Sequence, residues 1–199
     1  MERDKLKPET DGGGDYWRSC LSAISNSYKA NDIESIIAKR IELEDKYGNT
    51  EYKGTKTMYK RNIDVLYNYE DFDLNKWRPS GKIEFIRKHK HDSILTIKGL
   101  KVQATPNHVF KFIKNDNEQV GAIWFIAKFG GFKQDELGMF ADILFHYLKA
   151  HYANNYTLNP KYCIAVDVFN NIEVNFSQIE SGEVSPLLIA TLEEIKKLL

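Results

Sequence analysis

The sequence predicts an α/β (α+β) fold, with a mixed central sheet of about four to six strands flanked by helices and preceded by a helical N-terminal section. Three observations predict it. Apolar residues recur at helical spacing over residues 16–70, short strand-like segments begin at Lys82, and an amphipathic segment over 134–152 separates two apolar runs. The run Val120–Phe129 is apolar apart from Lys128, which predicts a central strand covered by helices on both faces.

Composition indicates a globular protein with one well-formed core. The chain has 199 residues, of which 42% are hydrophobic and 28% are charged. The 28 basic and 28 acidic residues cancel, which excludes a strongly basic coat for nucleic acid. A local basic patch remains compatible with this balance.

Cysteine use and terminal composition predict the compartment. Cys20 and Cys163 lie far apart without a CxxC or Cys/His cluster, and Cys163 falls in an apolar run typical of a reduced core residue. The charged, glycine-rich N-terminus lacks the apolar core of a signal peptide, and no apolar run has the length of a membrane span. A soluble cytoplasmic protein without membrane contact is expected.

The chain divides into three predicted parts: a disordered N-terminus over 1–14, a helical section over 15–54 and an α/β domain over 55–199. Asp15 is a candidate cap for the first helix, and Asn31 or Asp32 for the second. Helices are predicted over 16–29, 32–46, 55–70, 134–152 and 186–198, and strands over 82–87, 93–98, 101–104, 109–113, 120–129, 162–169 and 172–176.

Lys128 is the most informative single residue. It lies at the end of an almost wholly apolar segment, just before Gly130 and Gly131. Because a buried ammonium group is costly to desolvate, this lysine needs either an acidic partner, such as Asp135, or a function. The sequence leaves both interpretations open.

Three short segments carry a family resemblance. Thr105–Pro106–Asn107 lies at a bend between strands, and Ile126–Ala127–Lys128 lies on the next strand, with Lys128 placed 21 residues after Asn107. Glu136 and Phe140 follow on the succeeding helix with the spacing of a Gln-x-x-x-Tyr motif. Together with the order α-β-β-β-α-β, these segments resemble the PD-(D/E)XK nuclease superfamily, the restriction-endonuclease-like fold, and in particular its RecB-like branch.

The resemblance implies a magnesium-dependent phosphodiesterase. Two acidic groups would hold Mg²⁺, which polarises the phosphate and activates water, while a lysine neutralises developing charge. Lys128 and Asn107 would be the catalytic positions, with Glu136 and Phe140 as contacts from the helix. Asn107 and Ile126, however, stand where the family has acidic residues. Either the ligands have migrated or catalysis has been lost; the candidate replacement ligands are Gln103, Glu84, Glu44 and Asp135.

A basic segment offers a second possible contact with nucleic acid. Arg87, Lys88 and Lys90, interleaved with His89 and His91, are candidate phosphate contacts, although a solvated hairpin tip has the same composition. DNA or RNA is therefore the expected partner. The alternative is a non-catalytic protein-interaction or dimerisation domain, such as a homodimer, that uses the same scaffold without metal.

Overall fold

A computed structural model of the chain describes residues 16–88 and 93–199. The helices are α1 (Arg18–Ala30), α2 (Glu34–Asn49), α3 (Lys53–Tyr67), α4 (Gln134–Tyr152), α5 (Phe176–Glu180) and α6 (Leu187–Lys197), with a 3-10 turn at Leu74–Trp77. The strands are β1 (Ile83–Ile86), β2 (Ile94–Ile97), β3 (Leu100–Gln103), β4 (His108–Lys114), β5 (Asn117–Ile126), β6 (Thr157–Asp167) and β7 (Ile172–Asn175). The predicted disordered segment and the Asp15 cap lie outside the described residues.

The main sheet has five strands in the order β1-β4-β5-β6-β7, so the predicted mixed α+β sheet is confirmed. β4 is antiparallel to both β1 and β5, β6 is parallel to β5, and β7 is antiparallel to β6. Helix α4 makes the long connection that two parallel neighbours require. Consequently the carboxyl ends of β5 and β6 meet at one edge of the sheet, next to the start of α4.

Helices cover both faces of the sheet, as the apolar character of β5 predicts. On one face α1, α2 and α3 pack against Phe110, Phe125 and Val166. On the other face α4 and α6 pack against residues that include Val120 and Ala122. The helical N-terminal section therefore shares its core with the sheet.

The hairpin formed by β2 and β3 is separate from the main sheet. Thr96 pairs with Lys101 across this hairpin, whereas β1 pairs with β4. Consequently β1 and β2 do not form the hairpin expected from their adjacency in sequence. Leu95 and Ile97 are buried against the α4 side of the sheet, which explains why this short hairpin is held in place.

Two strand boundaries differ from the prediction. β5 ends at Ile126 rather than at Phe129, because the chain turns through Gly130 and Gly131, both with positive φ. β6 begins at Thr157 rather than at residue 162, because an irregularity opposite Val120–Ala122 lets the strand accommodate extra residues and continue beside β5. The short helix α5 was not expected, because five residues carry too little periodicity to detect.

Candidate functional site

Lys128 lies just beyond the carboxyl end of β5, in the joint that leads to α4. Its side chain is 41% exposed, and its Nζ is 3.4 Å from Oε2 of Glu136. The ammonium also lies 4.9 Å from the centre of the Phe132 ring. The ammonium avoids burial because β5 ends two residues earlier, at Ile126. Its acidic partner is Glu136 rather than the expected Asp135. An ion pair this exposed contributes little to stability, so the ammonium is available to other anions.

Glu136 links Lys128 to the first turn of α4. Oε2 of Glu136 accepts a hydrogen bond from the backbone N–H of Lys133 at 2.9 Å, as in a capping box. This backbone donor, followed by the nearby Lys128 ammonium, lowers the pKa of Glu136 below its usual value. The carboxylate is therefore ionised at neutral pH and has both a structural and an electrostatic role.

Asp167 is the buried carboxylate at this edge of the sheet. It ends β6, where it pairs in register with Ile126. Its Oδ2 accepts from the N–H of Phe132 at 2.9 Å, and its Oδ1 accepts from the N–H of Phe169 at 3.0 Å. Burial raises the pKa of Asp167, while these donors and the charge of Lys128 act in the opposite direction. These contacts join two loops and give Asp167 a structural role.

Asn107 extends the ladder between β4 and β5. Its backbone N–H donates to the carbonyl of Ile123 at 2.9 Å, and its side-chain Oδ1 accepts from the N–H of Phe125 at 2.7 Å. These bonds place Asn107 next to Trp124, two residues before the end of β5 and four residues before Lys128. The amide oxygen that the resemblance places near a metal is therefore used within the sheet.

Ile126 and Phe140 are apolar side chains that lie in apolar surroundings. Ile126 packs with Leu137, Ala141 and Ala165 between β5, β6 and α4. The Phe140 ring lies edge-on to Trp124, with centroids 5.5 Å apart, and to Phe132, with centroids 5.4 Å apart. Where the resemblance implies a metal ligand and a polar helix contact, this chain has a packed interior.

The four candidate replacement ligands occupy separate places. Glu44 on α2 contacts Arg40 and Tyr67, each at 2.7 Å. Glu84 on β1 is 3.6 Å from Lys111, and Asp135 accepts from the N–H of Ser185 at 3.2 Å. Gln103 lies in the separate hairpin, opposite Ile94. Over residues 16–88 and 93–199, no group of three His, Cys, Asp or Glu side chains has the arrangement of a metal site.

The candidate phosphate contacts follow β1. Arg87 is exposed, and Lys90 lies outside the described residues. The Lys88 ammonium donates to the carbonyl of Pro106 and, at 2.8 Å, to that of Asn107. Burial lowers the pKa of Lys88. Lys88 therefore supports the bend that carries Asn107, which sequence reasoning did not foresee because the two residues are 19 positions apart.

A second feature that the sequence did not indicate is an aromatic and cationic surface beside Lys128. Phe129 is 48% exposed, and the guanidinium of Arg61 lies 4.0 Å from its ring centre. Phe169 contacts Phe129 edge-on at 5.7 Å. Arg61 belongs to α3, so only the packing of α3 beside the β5–α4 joint brings these side chains together. The surface offers a cation and a π-face next to Lys128.

Comparison with known proteins gives no match: no family model, curated protein or solved structure is significantly similar to the chain. Among the described residues, no helix combines the length and apolar character needed to span a membrane.

Proposed function

We propose that the chain is a nucleic-acid-associated protein of restriction-endonuclease-like fold whose metal-dependent phosphodiesterase site is degenerate. The order α3-β1-β4-β5-α4-β6, with the β2–β3 hairpin as an insertion, supports this proposal because it has the α-β-β-β-α-β pattern of the PD-(D/E)XK resemblance. Because one fold can serve many functions, the proposed function must be argued from the residues around Lys128.

The observation that carries the proposal is the combination of Lys128 with the residues at the two acidic positions. Lys128 lies at the carboxyl end of the central strand, where parallel strands commonly place ligand-binding groups. Asn107 uses its oxygen within the sheet, and Ile126 is packed against α4. A lysine remains to attract a phosphate, but the carboxylates that would hold Mg²⁺ are missing from their positions.

In this proposal the Lys128 ammonium gives up its weak, half-exposed ion pair with Glu136 and binds a backbone phosphate of the nucleic acid instead. Phe129 and the Arg61 guanidinium lie next to it and offer a stacking surface to an unpaired base. The zero net charge of the chain predicts modest affinity that depends on this local surface.

Fluorescence anisotropy with labelled single- and double-stranded DNA and RNA tests binding. We expect binding that weakens with salt, and we expect Lys128→Ala to reduce the slope of log affinity against log salt by about one. Lys149→Ala removes an exposed lysine at the other end of α4 and serves as the matched control. Equal slopes for the two variants would contradict a phosphate contact at Lys128.

Cleavage assays with Mg²⁺ or Mn²⁺ test the degeneracy separately. We expect no hydrolysis of the same substrates by the wild-type protein. Metal-dependent cleavage that Lys128→Ala abolishes would instead show that the ligands have migrated, and the proposal of a degenerate site would be withdrawn.

A second candidate is a protein-interaction or dimerisation domain on the same scaffold. The exposed apolar side chains of α6 favour it, since Leu187 is 36% exposed and Ile195 is 43% exposed. Sedimentation velocity over a range of protein concentrations distinguishes the two. A dimer that Ile195→Glu dissociates, with no binding of nucleic acid, would favour this second function.

A further inference from the structure

A polar cleft of about 470 Å³ lies away from Lys128, on the side of the sheet that α1 covers. It is lined by the end of α1, the 3-10 turn, the segment leading into β1 and one side chain of β6: Asn31, Asn75, Arg78, Pro79, Ser80, Gly81 and Tyr162. β1 and β5 run in the same direction because both are antiparallel to β4. The start of β1 therefore lies at the edge of the sheet opposite Lys128.

Arg78 is held in a fixed orientation in this cleft. One Nη of its guanidinium donates to the backbone carbonyl of Tyr28. The guanidinium also lies 5.3 Å from the centre of the Tyr28 ring and 5.9 Å from that of Phe85. A guanidinium carries five N–H donors, so this arrangement leaves a rigid donor fork with further capacity for hydrogen bonds.

Among residues 16–88 and 93–199, no carboxylate lies beside the charge of Arg78. The described lining of the cleft contains no Asp or Glu, and the only charge-related influence on Arg78 from these residues comes from Tyr28. Burial lowers the pKa of Arg78, and only Tyr28 acts in the opposite direction. A guanidinium nevertheless stays protonated at neutral pH, so the cleft holds a partly desolvated, uncompensated positive charge.

The other side chains of the cleft complement an oxyanion. Asn31 contributes amide N–H donors, and Ser80 and Tyr162 contribute hydroxyl donors. Burial raises the pKa of Tyr162, so its hydroxyl remains a neutral donor at physiological pH. The two acidic residues nearest to the lining in sequence, Asp32 and Asp73, each accept from the backbone N–H two residues further along the chain, and neither lines the cleft.

We propose that this cleft is a binding site for the oxyanion of a small ligand, a phosphate or carboxylate group held by the Arg78 fork. Charge-assisted bonds from a planar guanidinium suit both groups, and the surrounding hydroxyl and amide donors complete the coordination. The site is separate from the Lys128 surface and does not depend on the nucleic-acid function.

The test uses the full chain titrated with inorganic phosphate and, separately, with acetate at constant ionic strength. Amide NMR shifts of Asn31, Asn75, Ser80 and Gly81 report on occupancy. Saturation by phosphate alone identifies a phosphate site, and saturation by acetate identifies a carboxylate site. If neither phosphate nor acetate produces saturable shifts at these amides, the proposal is overturned.

Two variants assign the binding to Arg78. Arg78→Lys keeps the charge but removes the fork, and we expect it to weaken binding about tenfold. Arg40→Lys changes another arginine that stacks on an aromatic ring, that of Tyr67, and does not line the cleft, so it should leave affinity within about twofold. Equal affinity for Arg78→Lys and the wild type would contradict the assignment.

Ser80→Asp tests whether anion binding can be lost while the protein stays folded. Ser80 is exposed, so an aspartate there places a negative charge at the cleft without removing a core contact. We expect this variant to keep the wild-type melting temperature and to lose anion binding. Retained binding in a folded Ser80→Asp protein would also overturn the proposal.

Discussion

At the scale of single residues, burial decides the chemistry of His108. This histidine follows the Pro106–Asn107 bend, which suggests a turn, but it belongs to β4 and faces α1. Its Nε2 lies 2.8 Å from the Ser25 hydroxyl and 2.9 Å from the Ser25 carbonyl. Because the carbonyl can only accept, we assign the proton to Nε2. The ring also stacks with Tyr28 at 5.8 Å. The residue therefore acts as a structural donor between helix and sheet.

His108 predicts a loss of stability in acid. Burial lowers its pKa from 6.5 to about 4, so between these values the unfolded chain binds more protons than the folded chain. Stability should fall as pH decreases from 6.5 to 4, by at most about 3 kcal/mol from this residue. Urea unfolding at pH 7 and pH 4.5 measures the change. His108→Gln should show a smaller difference between the two pH values than the wild type, and an equal difference would contradict the prediction.

The two positions at which the proposed resemblance calls for acidic residues lead to a second prediction at this scale. Asn107→Asp combined with Ile126→Glu introduces two carboxylates on neighbouring strands, offset by two residues, or roughly 7 Å along the strand. We expect Mn²⁺ to raise the melting temperature of this double variant, because two carboxylates near one edge provide hard oxygen ligands. Each single variant and the wild type are controls that should respond less. The same Mn²⁺ response in the wild type would mean that a metal site already exists elsewhere.

At the scale of elements, the β5–α4 joint depends on one glycine more than on its neighbour. Gly131 has φ +74, and an added Cβ would overlap the side-chain nitrogen of Asn170 and would lie 2.5 Å from Oδ2 of Asp167, which two loops hold in place. Gly130 has φ +79, but nothing lies within 4 Å of the corresponding Cβ. The positive φ favours glycine at both positions, but only at Gly131 is there also no room for a Cβ atom.

Gly131→Ala should therefore destabilise the protein more than Gly130→Ala. We expect Gly130→Ala to cost about 1 kcal/mol from backbone strain, and Gly131→Ala to cost more because the Asn170 side chain and the Asp167 bonds must also shift. Thermal and urea unfolding of both variants measure the difference. Equal losses would show that the joint adapts and that Asp167 does not fix it.

At the scale of the whole molecule, the layers predict an order of local stability. β5 is paired on both sides, by β4 and β6, and has helices on both faces. Within the described part of the chain, the β2–β3 hairpin pairs only with itself, and it leaves Ile94 59% exposed. The free energy of local opening should therefore be highest in β5 and low in the hairpin.

Native-state hydrogen exchange tests this order. Amides of Ile123 and Phe125, which lie in the helix-covered part of β5, should exchange only through global unfolding, whereas those of the β2–β3 hairpin should exchange through local opening. Leu95→Ala is expected to speed exchange in the hairpin without changing β5. Protection of the hairpin equal to that of β5 would contradict a separate unit.

The sequence by itself determined the element types, because helical and strand periodicities report burial on one face or two. The 134–152 helix was predicted to the residue, and the apolar run of β5 indicated a central, covered strand. The joint beyond Ile126 was less predictable, because the positive φ of Gly130 and Gly131 ends the strand within the apolar run.

Only the tertiary structure decided which side chains meet at the candidate site. Lys128 lies beside Glu136, Lys88 supports the Asn107 bend, and Arg61 covers Phe129; only the first of these pairs is local in sequence. Side-chain contacts between distant elements depend on strand register and helix packing, which local periodicity does not encode. For the same reason the Arg78 cleft, assembled from four elements, had no signal in the sequence.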